Sequence, residues 1–242
     1  METLLGKLSI FDFFNLVFSG IVFLLGFELF GIQIISYYFS ICISRFSSDL
    51  SAASICFYLG MISLCYIVGS VIQEIGDIIK KRIIYKKDDP MKTFLKNEEV
   101  LENIERKKKC VNMAKKYFKK NKIVYNEGDF TDDQDLMFYT HCEYFIQAKG
   151  LNDKIEKMRG LRGVSTVLAT TFTVLPILSC VILLIDKYIF DFKYIEMISI
   201  FQFVFGVIIS GVLAVIFWHR MKKNIKFKIR MIIGLYEVLS EQ

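Results

Sequence analysis

Four long apolar segments constrain the fold of this chain more than any other feature. Crossing the hydrocarbon core of a bilayer takes about 20 mostly apolar residues, and segments that qualify cover residues of about 11–39, 52–72, 164–185 and 195–218. A lipid-exposed backbone must satisfy its hydrogen bonds internally, so each segment is expected to be helical. The sequence therefore predicts an all-α membrane protein with four transmembrane helices.

The apolar segments fall into two pairs that flank a charged region. Residues 1–79 are predicted to form one transmembrane hairpin, whose second helix extends beyond the membrane. Residues 164–242 are predicted to form a second hairpin with a basic C-terminal tail. Between them, residues 80–163 are predicted to be a central basic helical domain. No secretory cleavage pattern follows the first apolar run, so we expect the N-terminus to be retained.

Basic residues are distributed unequally between the two sides of these segments. If the N-terminus is inside, 28 of the 31 Lys and Arg residues lie on the inner side, and the exceptions are Arg45, Lys187 and Lys193. Cytoplasmic loops carry an excess of Lys and Arg in membrane proteins. Both termini and the central domain are therefore predicted to be cytoplasmic.

The central domain contains a strongly basic run at Arg106–Lys122, with nine bases and no acid in 17 positions. Apolar residues recur at helical spacing from just before this run into it: Val100, Ile104, Val111, Ala114 and Phe118. This pattern predicts an amphipathic helix with a cationic face. The candidate ligand-binding residues are Arg106, Lys107, Lys108, Lys109, Lys115, Lys116, Lys119, Lys120 and Lys122. Three interpretations stay open: an anion-binding site, a platform for anionic lipid headgroups, and a solvated surface.

A second helix is predicted after a turn at residues 126–129. Thr131 and Gln134 have the spacing of a capping box, and Gly150 is expected to bend or divide the helix. Its predicted apolar positions are Leu136, Tyr139, Ile146, Ile155 and Met158. Acidic side chains within residues 127–135 are candidates to pair with the cationic face of the same or a neighbouring subunit.

Polar residues within the apolar segments are candidates for a pore or a gate, because ionisable groups there usually face a bundle interior or a water path. The candidates are Asp12, Asn15, Glu28, Glu74, Pro176 and Gln202. Glu28 lies farthest from both ends of its span, and snorkelling to the outer interface is its alternative. Pro176 frees a backbone carbonyl, which the hydroxyl of Thr173 or Ser179 is expected to satisfy.

Small residues in the last apolar segment predict close helix packing, either within one subunit or between subunits. They are Gly206, Ser210, Gly211 and Ala214. The six cysteines have no C-x-x-C spacing and are expected to be free thiols. Nucleophile-elbow, zincin, P-loop and dinucleotide-binding motifs are absent from the sequence. We therefore expect no enzymatic activity, no cofactor and no metal.

Two segments resemble a known group of proteins. The first is Leu8–Asn15 followed by Ser19–Val22, and the second is Ile67–Ser70 followed by Gln73–Gly76. With the four-span layout and one central helical insert, they resemble small membrane effectors of bacterial anti-phage defence systems, above all the channel effector of the Hailong system. Such effectors often open with a short amphipathic turn, an Asp-aromatic pair and Pro-Gly. Ser19 occupies the place of that proline.

The resemblance implies an oligomeric channel in the bacterial inner (plasma) membrane that depolarises the host cell. Such channels are thought to be held shut by short DNA from a partner nucleotidyltransferase. The expected partners are then the lipid bilayer, further copies of the chain, that enzyme, and an oligonucleotide or a cyclic nucleotide as ligand. The alternative is a non-channel membrane scaffold or small transporter whose basic domain contacts anionic lipid headgroups.

Overall fold

The computed structural model confirms the all-α class. It describes residues 10–30, 32, 40–41, 44, 50–85, 89–101, 103–126, 130–189 and 200–240, and no strand is formed among them. The helices are α1 (Ile10–Leu29), α2 (Leu50–Ile79), α3 (Pro90–Thr93), α4 (Glu98–Leu101), α5 (Ile104–Lys120), α6 (Asp132–Ala148), α7 (Asn152–Ile189) and α8 (Ile200–Ser240). A π-helical turn, Lys80–Ile84, directly follows α2.

Three described stretches are long and apolar enough to cross a membrane, namely Ser54–Ile84, Ile155–Ile185 and Ile200–Ser240. The first predicted span is shorter than expected, because α1 ends at Leu29. The backbone N–H groups of Phe30 and Ile32 both donate to the carbonyl of Phe27 at 3.0 Å and close the helix there. The rest of that predicted span, residues 33–39, and the start of the last one, residues 195–199, lie outside the described residues.

The chain divides into two compact units. The apolar unit comprises Met1–Ile79 and Gly163–Arg220, and the polar unit comprises Lys80–Arg162 and Met221–Gln242. Helices α7 and α8 each contribute residues to both units.

In the apolar unit, α1 and α2 approach each other closely at two glycines. A Cβ at Gly20 would collide with the carbonyl of Cys65, and one at Gly69 would collide with the carbonyl of Leu16. Both glycines belong to the segments that carry the resemblance described above. These two segments therefore form one helix crossing, in which backbone packs on backbone.

The small residues of α8 pack within the chain, with one exception. Ser210 and Ala214 are buried, and a Cβ at Gly206 would lie 3.1 Å from the ring of Phe30. This agrees with the close packing predicted from their spacing. Gly211 differs, because it is exposed and nothing lies within 4 Å of its Cβ position.

The polar unit has one core, to which α3–α8 all contribute. Its fully buried side chains include Phe94 and Leu101 from the short helices, Phe118 from α5 and Phe138 from α6. The segment predicted to be a basic C-terminal tail also enters this core. Four isoleucines of α8 are buried there: Ile225, Ile229, Ile232 and Ile233.

The amphipathic helix exists, but its buried face differs from the predicted stripe. Asn103 caps α5 by accepting a hydrogen bond from the N–H of Glu105, so Val100 belongs to α4 instead. Ile104, at the first turn, is 57% exposed. Burial follows Cys110, Ala114 and Phe118, which are one and two turns apart on the same face. The prediction was right for Ala114 and Phe118 and wrong for Ile104.

The predicted start and division of the second helix are confirmed. The hydroxyl of Thr131 accepts from the N–H of Gln134, whose side chain accepts from the N–H of Thr131, which completes the capping box. Gly150 follows the helix with a φ of 78°, in the left-handed region that glycine adopts without steric cost. A new helix, α7, begins at Asn152.

Candidate anion-binding surface

Helix α5 and the residue after its C-cap present a group of six exposed or half-buried lysines. They are Lys108, Lys115, Lys116, Lys119, Lys120 and Lys122, which we call the cationic surface. Lys115 is half-buried and the other five are exposed. Within the described ranges, no carboxylate lies at ion-pair distance from any of the six.

The other three predicted ligand-binding bases are engaged within the polar unit. Arg106 donates to the carbonyl of Arg230 at 3.4 Å, and Lys107 donates to the carbonyl of Lys96 at 2.9 Å. Lys109 forms an ion pair with Glu237 at 3.4 Å. The nine bases of the run thus separate into three with partners within the polar unit and six to which the described residues offer no acidic partner.

The end of α5 suits this concentration of positive charge. Lys119 and Lys120 lie in its last turn, where the helix dipole favours cations. Asn121 follows, with its side-chain amide donating to the carbonyl of Tyr117 at 2.8 Å. Lys122 then has a φ of 55°, so it lies beyond the helix that was predicted to include it.

The described acidic residues do not pair with the cationic surface of the same chain. Asp132 forms an ion pair with Lys96 at 3.1 Å. Asp135 is buried and accepts the N–H of Leu95 at 3.2 Å. The predicted pairing with the cationic face of the same chain is therefore wrong for these two residues. Glu127 and Asp129 lie outside the described residues, and pairing with a neighbouring subunit stays a prediction.

Asp135 is a buried acid without a full set of partners. Its second carboxylate oxygen has no hydrogen-bond partner among the described atoms. Burial raises the pKa of Asp135 to about 7, although the hydrogen bond from Leu95 and the charge of Lys96 oppose this rise. Burial thus makes this carboxyl harder to ionise than an exposed aspartate.

A second buried charge cluster joins α6, α7 and α8 within the polar unit. The Nζ of Lys228 lies 3.0 Å from Glu143 and 5.8 Å from the ring centroid of Tyr139. Arg159 reaches the same carboxylate at 3.5 Å. Sequence analysis missed this cluster, although Lys228 lies three residues after Ile225 and so on the same apolar face of the helix.

An open cleft of about 440 Å³ lies along α6 beside Tyr117 of α5. Its lining comprises Tyr117, Asp133, Leu136, Met137, Thr140, His141 and Tyr144. The rings of Tyr117 and His141 stack with centroids 4.3 Å apart, and the hydroxyl of Tyr236 lies 3.4 Å from Nε2 of His141. The pKa of His141 is lowered by burial first and by the charge of Lys120 second, and both effects favour the neutral imidazole.

His141 and Cys142 are adjacent in α6, but their side chains face different environments. Cys142 is buried in the core of the polar unit, whereas His141 lines the cleft. The five cysteines that the structure describes, Cys56, Cys65, Cys110, Cys142 and Cys180, are free, as predicted.

The polar candidates of the apolar segments occupy different environments. Glu28 is half-buried, and one of its carboxylate oxygens is buried without a hydrogen-bond partner among the described atoms. Gln202 donates to the backbone carbonyl of Glu28 at 3.4 Å. Asn15 is half-buried and Glu74 is exposed. Asp12 lies in α1, but its side chain is outside the described set.

Pro176 lies inside α7, but the predicted hydroxyl partners do not satisfy the carbonyl that it frees. Thr173 donates instead to the carbonyl of Ala169 at 2.7 Å and accepts from the indole N–H of Trp218 at 3.1 Å. The hydroxyl of Ser179 is buried without a partner in the described part of the chain.

Comparison of the chain with protein-family models, curated proteins and solved structures found no match.

Proposed function

We propose that this chain is a homo-oligomeric, pore-forming effector of bacterial anti-phage defence, gated by an anionic nucleotide polymer that binds its cytosolic polar unit. The observation that carries the proposal is the cationic surface. Six lysines, to which the described residues offer no acidic partner, lie along one helix and the residues that follow it, on a folded unit attached to long apolar helices. The resemblance of the two α1–α2 segments to membrane effectors of such defence systems supports the same assignment.

Repulsion within the cationic surface favours an anionic ligand. Like charges on neighbouring turns of one helix destabilise each other, and several copies of the surface around one symmetry axis would add to the repulsion. A phosphate polymer offers regularly spaced negative charges, and its binding releases condensed counterions. Such a ligand would stabilise the occupied state of the polar unit.

The proposed membrane arrangement has four spans. At 1.5 Å per residue, the 20 residues of α1 extend about 30 Å, the thickness of the hydrocarbon core. Together with the three longer apolar stretches, α1 would complete two hairpins, and the distribution of basic residues favours a cytoplasmic polar unit. Exposed large apolar side chains on α8, such as Phe201, Phe205 and Ile208, suit contact with lipid or with another copy.

The pore is proposed to form between subunits. Four helices without an internal repeat give one chain little room for its own pathway, whereas a symmetric ring of subunits encloses one on its axis. Glu28 and Gln202 are the pathway candidates that the structure brings together, through the hydrogen bond between the Gln202 side chain and the Glu28 carbonyl.

Oligonucleotide binding to the full chain in nanodiscs tests the ligand. The variant Lys108→Glu/Lys119→Glu reverses two exposed charges of the cationic surface. The control Lys149→Glu/Lys157→Glu reverses two exposed charges elsewhere on the polar unit. We expect the first variant to bind a short single strand at least tenfold more weakly, while the control binds like the wild type. For the Lys108→Glu/Lys119→Glu variant, the slope of log affinity against log salt concentration should also become shallower by about 0.7 for each lost phosphate contact.

The lipid interpretation is an outcome of the same experiment. If no oligonucleotide binds, and the first variant loses affinity only for anionic vesicles, the polar unit contacts lipid headgroups. Equal oligonucleotide affinity in both variants would place the ligand site away from α5.

A further inference from the structure

The aromatic cleft adjoins the cationic surface. Tyr117, which lies between Lys116 and Lys120 on α5, forms one wall. The charge of Lys120 reaches the cleft, since it acts on His141, which lines the cleft and stacks on Tyr117. A polyanion on the cationic surface would therefore pass the mouth of this cleft.

The cleft offers aromatic faces at different depths. Tyr117 and His141 stack on each other and are both half-buried, so their positions are fixed by the core behind them. Tyr144 is 66% exposed at the rim, with an accessible ring. Met137, also exposed, adds a flexible apolar surface. Rings of this kind provide a stacking platform for bases.

Two polar groups accompany these rings. Asp133 is exposed, and its carboxylate can accept a hydrogen bond from an amino group. The hydroxyl of Thr140 already donates to the carbonyl of Leu136 at 2.8 Å, so its oxygen remains available as an acceptor. The cleft thus combines stacking surfaces with hydrogen-bond acceptors. A phosphate diester has no hydrogen-bond donor for these acceptors, whereas the edge of a base carries donors.

We propose that this cleft binds a nucleobase of the polymer whose phosphates lie on the cationic surface. The base stacks on Tyr144 and on the exposed edge of the Tyr117–His141 pair, and Asp133 accepts from its amino group. Lys116 and Lys120 hold the phosphates on either side. This inference rests on the proposed function and makes the ligand a base-bearing strand, as opposed to any polyphosphate.

An abasic strand separates base recognition from phosphate binding. The full chain in nanodiscs is titrated with a labelled single-stranded DNA and with an abasic strand of the same length and charge. We expect the base-bearing strand to bind about tenfold more tightly, which corresponds to about 1.4 kcal/mol, the range of one base–aromatic stack. Tyr144→Ala should remove this advantage and leave the affinity for the abasic strand unchanged. Tyr144→Phe should keep the advantage.

Phe227→Ala is the matched control, since Phe227 is an aromatic residue of the polar unit that is 53% exposed and does not line the cleft. It should bind both strands like the wild type. The inference is overturned if wild-type protein binds the two strands equally, or if Tyr144→Ala weakens both to the same degree. Equal binding of the two strands would overturn the inference but would still support the proposed function, because both strands carry the same phosphates. If neither strand binds, both proposals fail.

Discussion

Asp135 makes the polar unit sensitive to pH. Its pKa is raised to about 7 in the folded state, mainly by burial, whereas an unfolded aspartate titrates near 3.9. The folded state therefore holds its proton more tightly, and the free energy of unfolding decreases as pH rises from about 4 to 7. We expect Asp135→Asn to remove this decrease, because an amide does not titrate.

The corresponding measurement is thermal unfolding of the full chain in nanodiscs, followed by circular dichroism between pH 5 and pH 8. With folded and unfolded pKa values of about 7 and about 3.9, the free energy of unfolding should fall by about 2–3 kcal/mol between pH 5 and pH 8. His141, whose pKa is lowered, contributes in the opposite sense in both proteins, so the comparison isolates Asp135. Parallel pH profiles for the two proteins would show that the buried carboxyl does not control stability.

Residues with purely local determinants were predictable, and those with distant partners were not. The Thr131–Gln134 capping box depends on three-residue spacing and was found from sequence. The burial of Asp135 depends on the N–H of Leu95, 40 positions earlier. Likewise, Lys228 is paired with Glu143, 85 positions earlier. Charge counts along the run from Arg106 could not separate the lysines that face outward from those held by such distant partners.

The crossing of α1 and α2 depends on the absence of side chains at Gly20 and Gly69. Gly20→Ala would place a methyl group against the backbone of Cys65, which cannot move aside as a side chain can. Overpacking of this kind costs about 1–3 kcal/mol. We expect a lower unfolding temperature for this variant in nanodiscs.

Gly211→Ala is the control for that substitution, because it makes the same chemical change inside an apolar helix where nothing lies within 4 Å. Alanine favours the helix over glycine by about 1 kcal/mol, so this variant should be as stable as the wild type or more stable. An equal loss of stability in both variants would mean that the α1–α2 contact is not tight.

The positions of the helices were predictable from sequence, but the core against which each helix packs was not always predictable. The 3.6-residue pattern predicted α5 and α6, and Gly150 predicted the boundary between α6 and α7. The isoleucines of the C-terminal segment also repeat at helical spacing, but the six bases in 219–242 led to its interpretation as a tail. Burial of four of those isoleucines shows that apolar periodicity outweighs local charge when a helix has a core to join.

In the proposed function, one chain combines an ion pathway with a ligand-binding unit. The polar unit supplies the cationic surface and the aromatic cleft, and the apolar unit supplies long apolar helices with exposed apolar side chains. Such surfaces in contact with water promote association, which suits a protein that assembles in a bilayer. The functional consequence is that occupancy of the polar unit should alter ion flow.

Ion flux through proteoliposomes tests whether the protein forms a pore that an oligonucleotide gates. Wild-type protein should dissipate a potassium diffusion potential faster than empty liposomes do, and a short oligonucleotide on both sides should change that rate. The Lys108→Glu/Lys119→Glu variant should conduct without responding to oligonucleotide, whereas Lys149→Glu/Lys157→Glu should respond like the wild type. A flux no greater than that of empty liposomes, with or without oligonucleotide, would contradict the pore. A wild-type flux that bound oligonucleotide leaves unchanged would contradict the gate.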